Sequence, residues 1–87
     1  MALLFSNQTT NATSSIREHT GGNLQIVVQG TIGSASIQPQ IIQDGLSAVD
    51  FGDPITGEVA FYIELQPCSV QFVMTGVSGT NISLSAT

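Results

Sequence analysis

The chain has 87 residues, a single cysteine, and one basic residue against six acidic ones, for a net charge of −5. That length holds one small domain with a modest core, and a lone cysteine excludes an internal disulfide framework. With Arg17 as the only fixed cation the chain cannot neutralise a phosphate backbone, which excludes nucleic acid as a partner and disfavours an anionic membrane surface.

Residues 1–6 are predicted to form a first strand with Leu3 and Phe5 on one face. Residues 7–22, NQTTNATSSIREHTGG, are polar and lack a clear period. Residues 1–22 therefore read as an N-terminal polar arm or edge strand, and residues 23–87 as a single domain. Arg17-Glu18-His19 reads as a solvated turn.

From Asn23 the pattern sharpens. Leu24, Ile26 and Val28 alternate with Gln25 and Gln29, and Ala35, Ile37, Pro39 and Ile41 alternate with Ser34, Ser36, Gln38 and Gln40. A period of two puts successive side chains on opposite faces, as in a half-buried strand. Gly30-Thr-Ile-Gly33 between the two runs is expected to be a hairpin turn. Asp44-Gly45 is a second turn signal. Residues 43–57 are turn-rich, with a short strand expected at 47–51. Val59, Phe61, Ile63 and Leu65 define the next strand, which Gln66-Pro67 ends. Val70, Phe72 and Met74 define another. Gly76-Val-Ser-Gly79 reads as a turn, and Ile82 and Leu84 mark the last strand.

No window carries apolar residues at helical spacing over three turns, so essentially no helix is expected. Six to seven short strands with frequent turns predict an all-β fold, a small antiparallel β-sandwich of jelly-roll or Ig-like type rather than a barrel. The expected core is Leu24, Ile26, Val28, Ile37, Ile41, Val59, Phe61, Ile63, Val70, Phe72, Met74, Ile82 and Leu84. Val27, Ile42, Tyr62 and Val73 then point outward and are the interface candidates.

Charged residues make up 8% of the chain, against about 25% in an average soluble domain. The polar surface is instead Ser, Thr, Asn and Gln, which suits a protein packed against copies or partners. No run reaches the roughly 20 apolar residues of a membrane-spanning helix. Met1 to Phe5 lacks the basic flank and length of a secretory signal, so an unexported protein made in the cytoplasm is expected. The acceptor patterns at Asn7, Asn11 and Asn81 accordingly read as chance matches.

Reaction chemistry finds little support. A nucleophile needs a neighbouring base and a group that orients it. His19 is the only histidine, and no nucleophile-elbow sequence accompanies it. Cys68 reads as an inert, half-buried thiol. His19 and Cys68 are too few for a structural zinc site. No enzymatic activity and no cofactor are expected. Asp44, Asp50 and Asp53 are weak Ca²⁺ candidates, better explained by the preference of Asp for turns. Phe51, Tyr62 and Phe72 are the aromatic residues a sugar-binding platform would use, but each is accounted for by its strand pattern.

The order of motifs resembles small virion structural proteins of tailed bacteriophages. The likeness rests on Gly21-Gly22, the strand from Leu24 to Gly30, Gly33-Ser-Ala-Ser-Ile37, Asp44-Gly45, Thr56-Gly57, and the closing run from Val73 to Leu84, VMTGVSGTNISL. It covers residues 20 to 86. The stretch from Leu46 to Asp50 departs from the pattern in carrying no Trp. The resemblance implies a non-enzymatic particle component: a capsid decoration, a knob or fibre base, or a head–tail accessory. Its partners would be copies of itself and other virion proteins, and its location the virion. The alternative is a small β-sandwich binding module for Ca²⁺ or a glycan, such as one on a host surface.

Overall fold

The alternation of apolar and polar side chains is realised as two antiparallel sheets packed face to face. A computed structural model of the chain describes residues 3–43, 46–77 and 80–87. Among these residues there are nine strands and no helix: β1 (Leu3–Gln8), β2 (Ala12–Thr13), β3 (Arg17–His19), β4 (Gly22–Thr31), β5 (Ser36–Ile42), β6 (Val49–Asp50), β7 (Val59–Leu65), β8 (Cys68–Thr75) and β9 (Asn81–Ala86). The first sheet has the order β1-β9-β4-β7. In the second, β8 and β5 are central, β6 flanks β5, and β2 and β3 share the outer side of β8. The fold is thus the expected small antiparallel β-sandwich, with more and shorter strands than the six or seven anticipated.

Connections switch between sheets, and strand pairing survives the switch. β3 pairs β8 and β4 pairs β7. The His19↔Cys68 and Gly22↔Leu65 pairs belong to one continuous register across the corner formed by Thr20-Gly21 and Gln66-Pro67. A two-stranded ribbon therefore bends once and contributes to both sheets, a known way of turning a sandwich corner. A second ribbon does the same: β4 with β9 in one sheet continues as β5 with β8 in the other.

This arrangement overturns the expected hairpin between residues 24 and 41. β4 and β5 lie in different sheets and do not pair. β4 runs through Thr31, so Gly30 is a ladder position opposite Ile82 rather than a turn residue. The chain turns just beyond, where the Ala35 N–H donates to the Ile32 carbonyl at 3.0 Å. The reason is tertiary: a Cβ at Gly30 would lie 1.9 Å from the Asn81 carbonyl oxygen. Its glycine serves close backbone approach inside the sheet.

Leu24, Ile26, Val28, Ile37, Val70, Phe72, Met74, Ile82 and Leu84 are buried between the sheets as expected. Full burial of a side chain such as Phe72 or Leu84 stabilises the fold by about 1.5–3 kcal/mol. Phe5, Ile32, Ala35, Ile55 and Ala86 join them. Ile41, Phe61 and Ile63 are only half-buried and Val59 is exposed, because β7 ends its sheet and β6 is too short to cover the facing edge. Leu3 and Phe5 do not share a face, because the β1–β9 register shifts between them. Phe5 enters the core while Leu3 stays exposed.

Residues 3–19 supply an edge to each sheet: β1 in the first, β2 and β3 in the second. Arg17-Glu18-His19 is strand β3 rather than a solvated turn. His19 is buried, and its Nε2 donates to the Gly22 carbonyl at 2.9 Å. Between β2 and β3 the edge bulges at Ser14. The Ser14 N–H donates to the Phe72 carbonyl at 2.8 Å, and the Ser14 hydroxyl accepts from the Phe72 N–H at 2.9 Å. The side chain thus replaces the carbonyl that a regular ladder would offer.

The predicted strand at 47–51 is reduced to Val49–Asp50. Pro39, buried in β5, explains part of this. It accepts from the Phe51 N–H at 3.0 Å but has no N–H to return. The Gln38 side chain supplies the missing donor, its Nε2 reaching the Phe51 carbonyl at 3.3 Å. The Asp44-Gly45 turn and the Ser78-Gly79 half of the turn starting at Gly76 lie outside the described residues.

Candidate functional site

The two outer sheet faces differ in chemistry. On the second sheet, the outward residues form polar ladders. Gln71 Nε2 donates to Gln40 Oε1 at 2.7 Å, Gln40 Nε2 to Asp50 Oδ1 at 2.8 Å, and Ser69 Oγ to Glu18 Oε1 at 3.0 Å. Ile42 and Val73 lie on this face, half-buried, with Val73 between Thr13 and Gln38. On the first sheet one row across all its strands is Leu3, Ser85, Val27 and Ala60. Tyr62, opposite Gln25, is the diagonal neighbour of Val27. Leu3 and Tyr62 are more than half exposed. The four interface candidates therefore divide into two pairs on opposite faces, and only Val27 and Tyr62 are brought together.

The edge of this first sheet at β7 is equally distinctive. Its core-facing residues Phe61, Ile63 and Leu65 are only half-covered, and Val59 is exposed. Around the mouth beside Val59 and Phe61, residues 53–58 line an open cleft of about 420 Å³.

Two other clefts hold polar groups. One of about 440 Å³ is lined by Asn7, Gln29, Gly30, Thr31, Glu58, Asn81 and Ser83. Its carboxylate is engaged, since Glu58 Oε2 accepts from the Gly30 N–H at 2.9 Å. The other, at the sandwich corner, gathers Glu18, His19, Pro67, Cys68 and Ser69 beside Ile42. Burial, aided by the Glu18 carboxylate, pushes the Cys68 thiol above its ordinary pKa. The thiol is thus kept protonated, opposite to the activation of a nucleophilic cysteine. The Ser69 hydroxyl donates directly to Glu18, and the His19 Nε2 is committed to a backbone carbonyl.

Asp50 is held by Gln40, Asp53 is exposed in the loop after β6, and Asp44 lies outside the described residues. Among the described residues no group of three His, Cys, Asp or Glu side chains is placed to hold a metal ion. Phe51, Tyr62 and Phe72 form no platform: Phe72 is fully buried, while Tyr62 is exposed on the other sheet's outer face. Sequence reasoning missed the β7 edge and the Ser14 bulge. The first depends on which strands pair, and the second on a serine among many.

Comparison with known proteins identifies no relative: no family model, curated protein or solved structure matches the chain.

Proposed function

We propose that the protein is a non-enzymatic structural component of a bacteriophage virion, acting by packing on copies of itself and on other virion proteins. Capsid decoration, a knob or fibre base, and a head–tail accessory are the roles this reading covers. The observation that carries it is the outer face of the first sheet, where Leu3, Ser85, Val27 and Ala60 run in one uncharged row beside exposed Tyr62. A surface poor in charge and carrying exposed apolar side chains suits contact with protein. The order of Gly-turn and strand motifs supports the virion setting. The test is co-sedimentation with phage particles that lack the protein. Saturable binding that Tyr62→Asp weakens is expected; no binding, together with a monomer at high concentration, would refute the reading.

A glycan-binding module is the second reading, favoured by the cleft of amide and hydroxyl side chains around Glu58. A thermal shift on adding host surface glycans, lost in Asn81→Ala, would put this reading first.

A further inference from the structure

We infer that β7 is a self-pairing edge, through which two copies join about a two-fold axis at Tyr62 to make one continuous sheet. This rests on the assembly reading above and names the surface and the partner.

The argument begins with hydrogen-bond parity. Gln25 exchanges both its backbone bonds with Thr87, so Gln25, Val27 and Gln29 direct their N–H and C=O groups toward β9. Leu24, Ile26 and Val28 then direct theirs toward β7, where they meet Ile63, Phe61 and Val59. It follows that Ala60, Tyr62 and Glu64 aim their backbone groups away from β4, with no strand beyond them among the described residues.

Natural edges are protected by shortness, bulges, proline or lysine. β1 has register shifts and a positive φ at Asn7, the β2–β3 side is broken at Ser14, and β6 has two residues. β7 is seven residues long, regularly paired to β4, and free of Pro and Lys.

The strand itself sets the register: an antiparallel pair about Tyr62, the midpoint of β7, is the one that overlaps all seven of its residues, and its side chains are compatible with an identical partner. With the two-fold at Tyr62, Tyr62 faces its own copy and Glu64 faces Ala60, each pair exchanging both backbone bonds. No carboxylate opposes another. Centring the pair on Phe61 instead would place Glu58 against Glu64, and centring it on Glu64 would oppose two carboxylates; like charges directly opposite are unfavourable. On the core-facing side the Tyr62-centred register sets Phe61 against Ile63 and Val59 against Leu65. These are the apolar side chains that the single chain leaves half-covered or exposed. Self-pairing therefore satisfies the open edge and extends the core with one movement.

The test is sedimentation across a concentration series to about 1 mM, which reaches the weak end of specific association. A dimer is expected, tighter at high salt because each chain carries −5. Ala60→Lys places an ammonium opposite Glu64 of the other copy on both sides of the axis. It should lower the dissociation midpoint by about two- to thirtyfold, and Ala60→Glu should raise it comparably. Thr13→Lys, on the other sheet's outer face, is the charge-matched control and should change it far less. Tyr62→Pro removes an N–H that points away from β4 and pairs with no strand among the described residues, and it should leave a folded monomer. If that variant misfolds, the Ala60 pair decides alone. A wild-type monomer throughout, or equal effects of Ala60→Lys, Ala60→Glu and Thr13→Lys, would overturn the proposal. Particle binding by such a protein would leave the assembly reading standing without the edge; loss of both would remove both.

Discussion

Replacing Gly30 by Ala probes a position where the neighbouring backbone leaves no room for a Cβ. Two costs add. Gly30 has φ +114°, a conformation that strains any residue with a Cβ, and such strain costs about 1–3 kcal/mol. The new Cβ would also lie 1.9 Å from the Asn81 carbonyl oxygen. Because that contact is backbone, β4 and β9 must separate around the Gly30↔Ile82 pair, with loss of one or two ladder bonds at about 1 kcal/mol each. The total is about 2–5 kcal/mol, a large share of the roughly 5–15 kcal/mol that holds a small domain. At this chain length it lowers Tm by about 8–40 °C. Two companions separate the causes. Gly22→Ala has φ +85° but open space, so it should show the strain alone. Gly57→Ala has open space and no positive φ, so it should be neutral or stabilising by up to about 1 kcal/mol. Urea and thermal unfolding of all the variants give the comparison. A Gly30→Ala cost no larger than that of Gly22→Ala would refute the close approach and the β4–β9 register with it.

Ser14→Ala leaves the buried Phe72 N–H without its acceptor, a loss of about 1–3 kcal/mol; urea unfolding measures it, and an unchanged midpoint would mean the bulge bond contributes nothing. For Cys68, a raised thiol pKa means less thiolate than in free cysteine at any given pH, so alkylation should rise with a midpoint displaced to higher pH. Glu18→Gln removes the smaller of the two causes and should bring the midpoint partly back; a midpoint at or below that of free cysteine would contradict the burial.

Period-two alternation was sufficient to define most of the strands. Leu24, Ile26, Val28, Phe72, Ile82 and Leu84 declare their inward face without any partner, because the pleat alone puts every second side chain on one side. The all-β sandwich class follows from those short runs. Strand partners do not. β4 and β5 look like a hairpin in sequence, yet they belong to different sheets, because pairing is decided by contacts with β7, β8 and β9 far along the chain. The polar run from Thr9 to Thr20 hides two edge strands, since Ser14 and His19 occupy buried positions and make hydrogen bonds there instead of showing apolar periodicity. The candidate surface divides the same way. Sequence alternation identified Val27 and Tyr62 as outward. That they are neighbours, that Ile42 and Val73 lie on the opposite face, and that β7 is an open edge were settled only by which strands pair. A residue's face is a local property of the backbone, whereas its neighbours across the sheet are set by chain segments distant in sequence.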